Sequence, residues 1–408
     1  MEPVPELHFE GKDLVRDCRR TVPCPALRMD PLRSAGEPRL SGNLVIQGDN
    51  LHVLQALLPN YAGQVDCIAI DPPYNTGSEL WSYPDNASHD RWLCLMYPRL
   101  MLLRELLAED GLIAVTIDDN ELGHLLLAMN EIFGPQNRLA CAVWLSDPSG
   151  GKHKSALRVG HEYVVIYGGG SADLTRQEKT GAALSLSDRF GPYAKGRELH
   201  KWGSNSLRSD RPSMFFPLRA PDGSEVWPIR SDGQEGCWRF GEKSPLMREL
   251  LADPERAHWE QRPSGNGGSR WVPYEKLRDT RRTFGWRTWL DDLGTNADGS
   301  RTLKEIFGSK IFETPKPVAL LEWIIGLSPN RDCLVLDCFA GSGTTAHAVL
   351  SLNHKDGGCR RFILVECADY AAGLTAERVR RVMQGYESAT RPGTKVEGLG
   401  GQFTFCTL

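Results

Sequence analysis

The chain contains 408 residues, with 48 Lys and Arg against 52 Asp and Glu and a formal net charge of −4. This length exceeds one ordinary hydrophobic core and predicts one large α/β domain with a sizeable inserted or appended module. A hydrophobic content of 40% and a charged content of 25% exclude a mostly disordered or fibrous chain. The sequence has no run approaching the roughly 20 apolar residues of a membrane span, and its first residues lack the apolar segment of a secretory signal. We therefore expect a cytoplasmic protein that makes no membrane contact.

Charge is distributed unevenly along the chain. Residues 151–312 hold 27 Lys and Arg against 21 Asp and Glu, an excess of six positive charges, so the rest of the chain is acidic. Because phosphate contacts need lysine and arginine, the middle of the chain is the part suited to nucleic acid. An excess of this size also fits an ordinary solvated surface of mixed sign.

Eleven cysteines occur without any Cys-x-x-Cys pair. Several fall inside apolar runs, such as Cys67 in VDCIAI and Cys94 in WLCLMY. This pattern favours buried, reduced thiols over disulfides or a metal site. No His/Cys/Asp cluster has the sequence spacing of metal ligands, and we expect no metal.

The first half of the chain alternates strands with helices. GNLVIQGDN predicts a strand that runs into a turn, and a helix with leucines at helical spacing should follow. Residues 65–70, VDCIAI, have the pattern of a strand buried on both faces of a parallel sheet. Residues 90–107 predict an amphipathic helix, LIAVTID a further buried strand, and ELGHLLLAMNEIFG a helix that ends at Gly134-Pro135. Such alternation implies a parallel sheet with right-handed crossovers.

The regular rhythm is interrupted in the middle of the chain. From about residue 147, segments rich in Gly, Pro and Ser separate short β-like stretches, and the rhythm returns only near residue 314. There KPVALLEWIIGL predicts a helix, and LVLD and RRFILVE predict two strands on either side of a glycine turn and helix. The sequence therefore predicts a doubly wound α/β fold, with a mostly parallel sheet and a large insertion. We expect an N-terminal arm over 1–39, a catalytic domain over 40–145 and 313–385, an insertion over 146–312 and a C-terminal segment over 386–408.

The glycine turn near the C-terminus is the first motif that indicates a ligand. It reads Phe339-Ala340-Gly341-Ser342-Gly343-Thr344 after the strand LVLD, and Glu366 ends the next strand. Glycines at such a turn let the backbone pass close to a nucleotide-like ligand, and an acid ending the next strand accepts hydrogen bonds from ribose hydroxyls. The pattern predicts a cofactor site. The same spacing also fits a nicotinamide or flavin dinucleotide, or a tight turn with no ligand.

The second motif is Asp71-Pro72-Pro73-Tyr74, directly after VDCIAI. The amino group of adenine is a poor nucleophile, because its lone pair is delocalised into the ring. A carboxylate and a proline-fixed carbonyl can hold both amino hydrogens so that the lone pair points at a methyl donor, and a tyrosine can stack on an extruded base. A plain proline turn is the alternative interpretation. The position at the C-terminal end of a buried parallel strand, where open α/β sheets bind ligands, favours the functional one.

Several segments together resemble the amino-methyltransferases of DNA, in particular the permuted β class that includes modification subunits of type III restriction systems. They are GDNLHVLQALLP, VDCIAIDPPYNTG, GLIAVTIDDNE, PKP at 315–317 and LDCFAGSGTTAHAV. In that family the catalytic motif comes first, the target-recognition region lies in the middle and the methionine-binding motif comes last, as here. The resemblance implies a Rossmann-like methyltransferase domain of circularly permuted motif order, with 146–312 as the target-recognition module.

The resemblance also implies a reaction, in which S-adenosylmethionine methylates N6 of an adenine flipped out of duplex DNA. Asp at the first position of the catalytic motif is similar to the adenine enzymes, whereas Ser there would indicate cytosine N4. The residues that it implies for base handling are Asp71, Pro72, Pro73 and Tyr74. Those that it implies for the cofactor are Asp337, Phe339, Ala340, Gly341, Ser342, Gly343, Thr344 and Glu366, with Asp49 at the adenine end and Lys316 near the cofactor carboxylate.

The middle of the chain offers weaker candidates for DNA contact. A basic loop contains Lys152, His153 and Lys154, and a second basic segment contains Arg281, Arg282 and Arg287 beside Trp286 and Trp289. These residues suit phosphates, guanine edges or an unstacked base, but tryptophans in an insertion more often form its core. His161 begins a predicted strand and suits a structural role.

Other functions stay open from the sequence. They are methylation of cytosine N4, methylation of RNA or protein by the same chemistry, a non-catalytic DNA-binding subunit, and an oxidoreductase that uses the glycine turn. The expected partners are double-stranded DNA and a second copy of the chain. Type III modification subunits are usually considerably longer, which puts a restriction-subunit partner in doubt.

Overall fold

The computed structural model describes residues 6–76, 87–150, 157–263 and 268–408. The chain divides into two compact units, one formed by Met1–Arg176 with Gly285–Leu408 and the other by Gln177–Phe284. We call the first the catalytic unit and the second the middle unit.

Twenty strands are present in the described part of the chain. They are β1 (Arg28–Ala35), β2 (Leu44–Gln47), β3 (Val65–Ile70), β4 (Leu107–Ile117), β5 (Arg138–Leu145), β6 (His161–Gly168), β7 (Gln177–Thr180), β8 (Leu186–Asp188), β9 (Gly191–Glu198), β10 (Leu218–Arg219), β11 (Glu225–Val226), β12 (His258–Pro263), β13 (Ser269–Leu277), β14 (Arg281–Phe284), β15 (Trp289–Leu290), β16 (Leu334–Asp337), β17 (Arg361–Glu366), β18 (Gly385–Glu387), β19 (Lys395–Glu397) and β20 (Phe403–Thr407).

Ten α-helices accompany them within the same residues. They are α1 (Lys12–Val15), α2 (Cys18–Thr21), α3 (Asn50–Tyr61), α4 (His89–Leu106), α5 (Leu122–Phe133), α6 (Pro245–Ala252), α7 (Asn296–Phe307), α8 (Val318–Gly326), α9 (Thr344–Asp356) and α10 (Glu377–Gln384).

The catalytic unit is built on one ten-stranded sheet. Its strand order is β1-β20-β2-β17-β16-β3-β4-β6-β5-β15. The six strands from β20 to β4 run parallel to their neighbours, whereas β1 and β6 are antiparallel additions on either side. The predicted mostly parallel α/β sheet is therefore confirmed.

Helices cover both faces of this sheet. Along β3, Ile68 and Ile70 pack in a core with α3, α4 and α5, while Cys67 and Ala69 pack in a second core with α8, α9 and α10. Because successive side chains of a strand point to opposite faces, a strand covered on both sides must be apolar throughout. This explains the run VDCIAI, which is apolar at every position except Asp66, and confirms the doubly wound arrangement.

The pairing of β3 with β16 positions the site. The two strands are parallel neighbours, with Val335 opposite Cys67 and Leu336 opposite Ile68. Parallel strands end at the same edge of a sheet, so the segment after Ile70 and the segment after Asp337 emerge side by side. The two sequence motifs meet although the whole middle of the chain separates them.

The boundaries of the middle unit are narrower than the predicted insertion. We expected residues 146–312, whereas the compact unit covers Gln177–Phe284. Strands β6 and β15 and helix α7 belong to the catalytic unit, since β6 pairs with β4 and β15 pairs with β5. Gly- and Pro-rich segments flank these elements and interrupt the alternation of strands and helices, so the sequence pattern does not assign the elements to the sheet.

The terminal segments also differ from the expectation of an arm and an appended tail. Strand β20 from the C-terminal segment lies between β1 and β2, and β1 lies at the edge of the same sheet. Phe403 and Phe405 of β20 are buried in the core. The N-terminal Leu7, Phe9 and Val15 pack against the opposite core. Both ends of the described chain therefore complete the catalytic unit, because long-range pairing of β1 with β20 leaves no local signal.

The middle unit has a separate small core. A four-stranded antiparallel sheet of order β12-β13-β9-β8 is its largest sheet. Its buried core residues are Leu199, Leu218, Trp238, Met247, Leu250 and Ala257. At least one of its tryptophans thus serves as core, as expected for an insertion of this size.

None of the eleven cysteines forms a disulfide. Cys18, Cys67, Cys237, Cys333, Cys338 and Cys406 are buried, but Cys24 and Cys359 are exposed. The prediction of burial thus holds for only some of the positions. No helix in the described residues has the length and apolar character needed to cross a bilayer.

Replacing Phe405 by alanine should destabilise the catalytic unit, because its ring is fully buried in the sheet core. We expect a loss of about 3–5 kcal/mol in the free energy of unfolding, measured by urea denaturation. Leu14→Ala is the control, since that side chain is 82% exposed and its removal should change stability by less than about 0.5 kcal/mol. Equal stability of both variants would show that β20 is dispensable.

Candidate active site

A cavity of about 630 Å³ opens at the C-terminal ends of β3 and β16. The Asp-Pro-Pro-Tyr loop lines one part of it, and the glycine turn lines another. All of the lining residues belong to the catalytic unit. The site thus combines the two motifs that the sequence singles out.

Asp71 is held by three neighbours. Its Oδ1 accepts hydrogen bonds from Tyr74 Oη at 2.8 Å and from Thr116 Oγ1 at 2.5 Å. Its Oδ2 lies 3.0 Å from Nζ of Lys316. These contacts fix the orientation of the carboxylate, which remains one third exposed toward the cavity.

A second acid, Glu162, shares two of these neighbours. Its Oε2 lies 2.9 Å from Tyr74 Oη and 3.4 Å from Lys316 Nζ, and its Oε1 accepts from Asn296 Nδ2 at 2.9 Å. Since a tyrosine hydroxyl carries one proton, Tyr74 can donate to only one of the two carboxylates at a time. Lys316 is therefore the group that balances their charges.

Burial and charge oppose each other in this cluster. Burial alone would raise the pKa of Glu162, but the charge of Lys316 and hydrogen bonds from Asn296 and Tyr74 lower that pKa below its usual value. Burial would lower the pKa of Lys316, but the two carboxylates raise it. Burial, together with the nearby carboxylates, raises the pKa of Tyr74 well above its ordinary value. At neutral pH, Glu162 is therefore a carboxylate, Lys316 is charged and Tyr74 is neutral.

The two prolines have different surroundings. The carbonyl of Pro73 accepts a hydrogen bond of 2.7 Å from the indole nitrogen of Trp92, which is buried in α4. Pro72 and Pro73 both line the cavity. Because proline has a fixed φ and no N–H, the loop holds one shape without offering a competing donor.

The glycine turn needs glycine for steric reasons. Gly341 has φ +49°, and a Cβ there would lie 3.0 Å from the ring of Phe312. Gly343 has φ +78° and is the N-cap of α9, and its Cβ would lie 3.1 Å from the carbonyl oxygen of Thr375. Both positions combine a left-handed backbone with close neighbours, so side chains are excluded there. The backbone of Gly341 is therefore open to close approach by a ligand.

Two buried acids flank the turn. Asp337 accepts from the backbone N–H of Phe339 at 3.0 Å and from Thr345 Oγ1 at 2.5 Å. Burial raises its pKa to about 7, against the opposing effect of these hydrogen bonds. Glu366 accepts from the N–H groups of Gly341 at 2.8 Å and Ala368 at 3.0 Å, and burial raises its pKa as well. Each carboxylate retains further acceptor positions for a ligand.

Arg378 supports the turn from behind. Its guanidinium is fully buried and donates to Oγ of Ser342 at 2.8 Å and to Oγ1 of Thr344 at 2.7 Å. Burial lowers its pKa to about 10, which leaves it charged at neutral pH. The turn is thus fixed by a buried cation from α10.

Most of the predicted site residues line the cavity, with two exceptions. The Asp-Pro-Pro-Tyr residues line it, together with Asp337, Phe339, Ala340, Gly341, Ser342, Thr344 and Glu366. Gly343 shapes the turn without lining the cavity. Asp49 does not line it either, because its side chain caps α3 by accepting from the N–H of Leu51. Lys316 lines it, with its amine at Asp71 and Glu162, and its expected approach to a cofactor carboxylate stays a prediction.

Sequence reasoning missed Thr116, Glu162, Phe312 and Tyr370, which also line the cavity. Phe312 and Tyr370 meet edge to face with ring centres 5.9 Å apart. Glu162 follows the histidine that the sequence singles out, and an acid within an apolar strand is the signal that could have found it. The other three carry no local pattern.

The remaining candidates have structural contacts. His161 lines the cavity and its Nε2 lies 3.0 Å from Tyr163 Oη. Trp286 donates to the carbonyl of Thr175, and Trp289 is 54% exposed. Arg281 pairs with Asp279, and Arg287 pairs with Asp291 and Asp292. The basic loop with Lys152, His153 and Lys154 lies outside the described residues.

The family profile described as DNA methylase, for N6 and N4 methyltransferases, matches residues 65–377, a range that includes both motifs of the cavity. The chain belongs to this DNA methylase family.

Three relatives show how far the similarity extends along this DNA methylase. It is 34% identical over 362 residues to the type II methyltransferase M.KpnI of Klebsiella pneumoniae, covering 83% of this chain and 84% of the relative. It is 33% identical over 400 residues to the Mod subunit of the type III restriction-modification enzyme StyLTI of Salmonella typhimurium, covering 88% and 58%. The EcoPI Mod subunit of Escherichia phage P1 is 30% identical over 422 residues, covering 88% and 63%. The chain thus spans less than two thirds of either Mod subunit.

A solved structure, that of the cytosine-N4-specific PvuII DNA methyltransferase, aligns with this DNA methylase at 13% identity and a TM-score of 0.43. The alignment covers 83% of this chain and 86% of that structure.

Replacing Lys316 by methionine should raise the pKa of Glu162, because the lysine charge is the largest influence that lowers it. A lowered pKa stabilises the fold above the unfolded-state value, and that contribution is lost as the pH falls through the folded-state value. We expect Lys316→Met to cost about 3–5 kcal/mol at pH 7, because buried Glu162 loses its counter-charge. The cost should shrink in acid, where the carboxylates are protonated, as followed by urea denaturation at several pH values.

Lys355→Met is the control, because that lysine is 57% exposed in its pair with Glu322 and should contribute at most about 1 kcal/mol. Adding Glu162→Gln to Lys316→Met should recover part of the stability. A cost for Lys316→Met that is independent of pH would rule out the charge-balancing role.

Proposed function

We propose that the chain methylates N6 of adenine in duplex DNA, with S-adenosylmethionine as the methyl donor. The observation that carries this proposal is the single cavity lined by both the Asp-Pro-Pro-Tyr loop and the glycine turn. Membership of the DNA methylase family supports the reaction class. The assignment of roles to individual residues follows from their contacts.

Asp71 and Pro72 are suited to hold an exocyclic amino group. Asp71 is fixed by Thr116 and Lys316 but keeps acceptor capacity, and Pro72 lines the same cavity. Because the Pro73 carbonyl is already engaged by Trp92, we assign the second acceptor to the carbonyl of Pro72. Two acceptors on the amino hydrogens leave the nitrogen lone pair directed away from them, toward the methyl donor. This is catalysis by positioning and by electrostatic stabilisation.

Tyr74 is suited to stack on the base. Its hydroxyl is tied to Asp71 and Glu162, which fixes the ring. Lys316 Nζ lies 4.9 Å from the ring centre, over one face, so stacking is assigned to the other face. Stacking of a base on an aromatic ring is worth about 1–3 kcal/mol, which offsets part of the cost of base flipping.

The glycine turn fits the nucleoside part of S-adenosylmethionine. Gly341 is conformationally specialised for close approach, and Glu366 offers acceptor positions for ribose hydroxyls. When bound, S-adenosylmethionine supplies an electrophilic methyl group on a cationic sulfonium. Phe339 lines the cavity between the turn and the catalytic loop and is suited to contact that cation.

The charge of the cavity favours this cofactor over a dinucleotide. Among the described residues that line the cavity, eight are acidic and one is a lysine. The acids are Asp71, Asp118, Asp119, Asp147, Glu162, Glu313, Asp337 and Glu366, and the lysine is Lys316. An acidic lining attracts a sulfonium and repels a pyrophosphate. The nicotinamide or flavin alternative is therefore disfavoured.

The choice of adenine over cytosine rests on the first residue of the catalytic motif. The family profile includes both N6 and N4 enzymes. The Asp at the first position of the catalytic motif resembles the adenine enzymes, and we assign adenine on that ground. We further propose that the middle unit recognises the target site, because it belongs to the basic part of the chain and carries Arg281 and Arg282 on β14.

Asp71→Ala should abolish methyl transfer while leaving cofactor binding intact, because Asp71 contacts the base and not the glycine turn. We expect a fall of at least about 10²-fold in the rate of transfer of labelled methyl to unmethylated genomic DNA. Nucleoside mass spectrometry of the wild-type product should show N6-methyladenine. Asp13→Ala, an exposed acid on α1, is the matched control and should keep full activity.

Each other outcome corrects a defined part of the proposal. N4-methylcytosine as the product would overturn the base assignment alone. Methylation of RNA or protein but not of DNA would overturn the substrate. Cofactor binding without transfer to any substrate would indicate a non-catalytic DNA-binding subunit.

Glu366→Ala should weaken cofactor binding rather than chemistry, because it removes charged hydrogen bonds to the ribose. We expect the Kd for S-adenosylmethionine to rise by about 10- to 100-fold by calorimetry, with kcat at saturating cofactor changed much less. Glu366→Gln keeps an acceptor for the N–H of Gly341 and should give an intermediate Kd. An unchanged Kd in both variants would exclude the ribose contact.

A further inference from the structure

A cluster of ionisable side chains lies at the first turns of α4 and α5, apart from the residues that line the cavity. His89 begins α4, Glu121 is the N-cap residue of α5, and His124 lies in the first turn of α5. One nitrogen or oxygen from each of the three lies within 4.8 Å of the others. Because His89 and Glu121 are far apart in sequence, the sequence pattern predicted no metal ligands here.

Glu121 is the centre of this cluster. Its side chain is fully buried, and its Oε1 accepts from Asn75 Nδ2 at 2.7 Å and lies 2.8 Å from Nδ1 of His89. Its Oε2 lies 2.9 Å from Nδ1 of His124, yet these two atoms do not meet hydrogen-bond geometry and have no other hydrogen-bond partner among the described residues. A buried carboxylate oxygen and a buried imidazole nitrogen left in this state are costly unless a cation lies between them.

We propose that His89, Glu121 and His124 bind a divalent transition-metal ion, with Zn²⁺ as the expected occupant. Two imidazole nitrogens and one carboxylate are a ligand set of Zn²⁺ sites that keep a fourth position for water. The two imidazole rings stack with centres 4.4 Å apart, so both reach the same carboxylate from one side. Tetrahedral bonds to Zn²⁺ place ligand atoms about 3.3 Å apart, so the 2.8 and 2.9 Å separations need to open by only about 0.5 Å.

The ion would stabilise the end of the catalytic loop at Asn75. Asn75 follows Tyr74, has φ +61°, and bonds through its side chain to both the N–H and the carbonyl of Ala87 as well as to Glu121. Fixing Glu121 therefore fixes Asn75, the residue next to the base-handling motif. The metal acts here by positioning, in the manner of groups that orient a neighbouring site, and makes no contact with substrate.

The competing explanation is a protonated histidine paired with Glu121, which needs no metal. The two explanations differ in metal uptake. A cation-filled site takes up one equivalent of metal with a defined affinity, whereas an ion pair takes up none. If the site binds a metal ion, the metal affinity also depends on His89, Glu121 and His124.

The test uses the full chain prepared without a histidine tag, stripped with a chelator and titrated with Co²⁺ and then with Zn²⁺. We expect one equivalent of Co²⁺ to give visible absorption bands that Zn²⁺ abolishes, and Zn²⁺ to raise the Tm. His89→Ala should weaken metal affinity by at least about tenfold. That ring is 60% exposed, so the variant should fold normally, as circular dichroism can verify. His354→Ala, an exposed histidine on α9, is the matched control and should bind as the wild type does.

Two results would overturn the proposal. One is a wild-type chain that binds no stoichiometric metal, and the other is a binding isotherm that neither His89→Ala nor Glu121→Gln changes. The second result would place the ion elsewhere, for instance at the exposed thiols of Cys24 or Cys359. Neither measurement uses methyl transfer, so the test of the metal site is independent of the proposed function.

Discussion

The parallel pairing of β3 with β16 is the constraint on which the site depends. It places the residues after Ile70 and after Asp337 at one edge of the sheet. Both strands are buried on both faces, so their register cannot slip without moving apolar side chains out of two packed cores. The loop and the turn are thus held by the most buried part of the molecule. The buried ionisable residues of the cavity are costly to desolvate, and they are tolerated because the sheet holds their hydrogen-bond partners in place.

Charge balance is the second determinant of the site. Two carboxylates, Asp71 and Glu162, share the amine of Lys316, and all three groups are largely withdrawn from water. The desolvation cost of such a cluster is offset only while the set is complete. The same arrangement fixes Asp71 and Tyr74 before any ligand arrives. On the other side of the cavity, buried Arg378 similarly fixes the glycine turn.

Positions next to the catalytic motif connect it to a second group of residues. Trp92 and His89 lie on α4, and they reach Pro73 and Glu121 respectively. Asn75 connects the loop to Glu121. The first turns of α4 and α5 thus support the loop. A cation at Glu121 would strengthen this support, since a metal ion adds directed bonds that a lone ion pair lacks.

The sequence by itself determined the parallel strands β2, β3, β4, β16 and β17 and the two motifs that follow β3 and β16. Nearly continuous apolar runs identify the buried strands. Glycines, prolines and acids at the C-terminal ends of such strands indicate a ligand site, because open α/β sheets bind ligands there. Only the tertiary structure decided which polar groups meet. Lys316 turned out to serve Asp71 and Glu162, Asp49 caps α3, and β1 and β20 complete the sheet. These outcomes depend on contacts between residues distant in the chain, which leave no periodicity in the sequence.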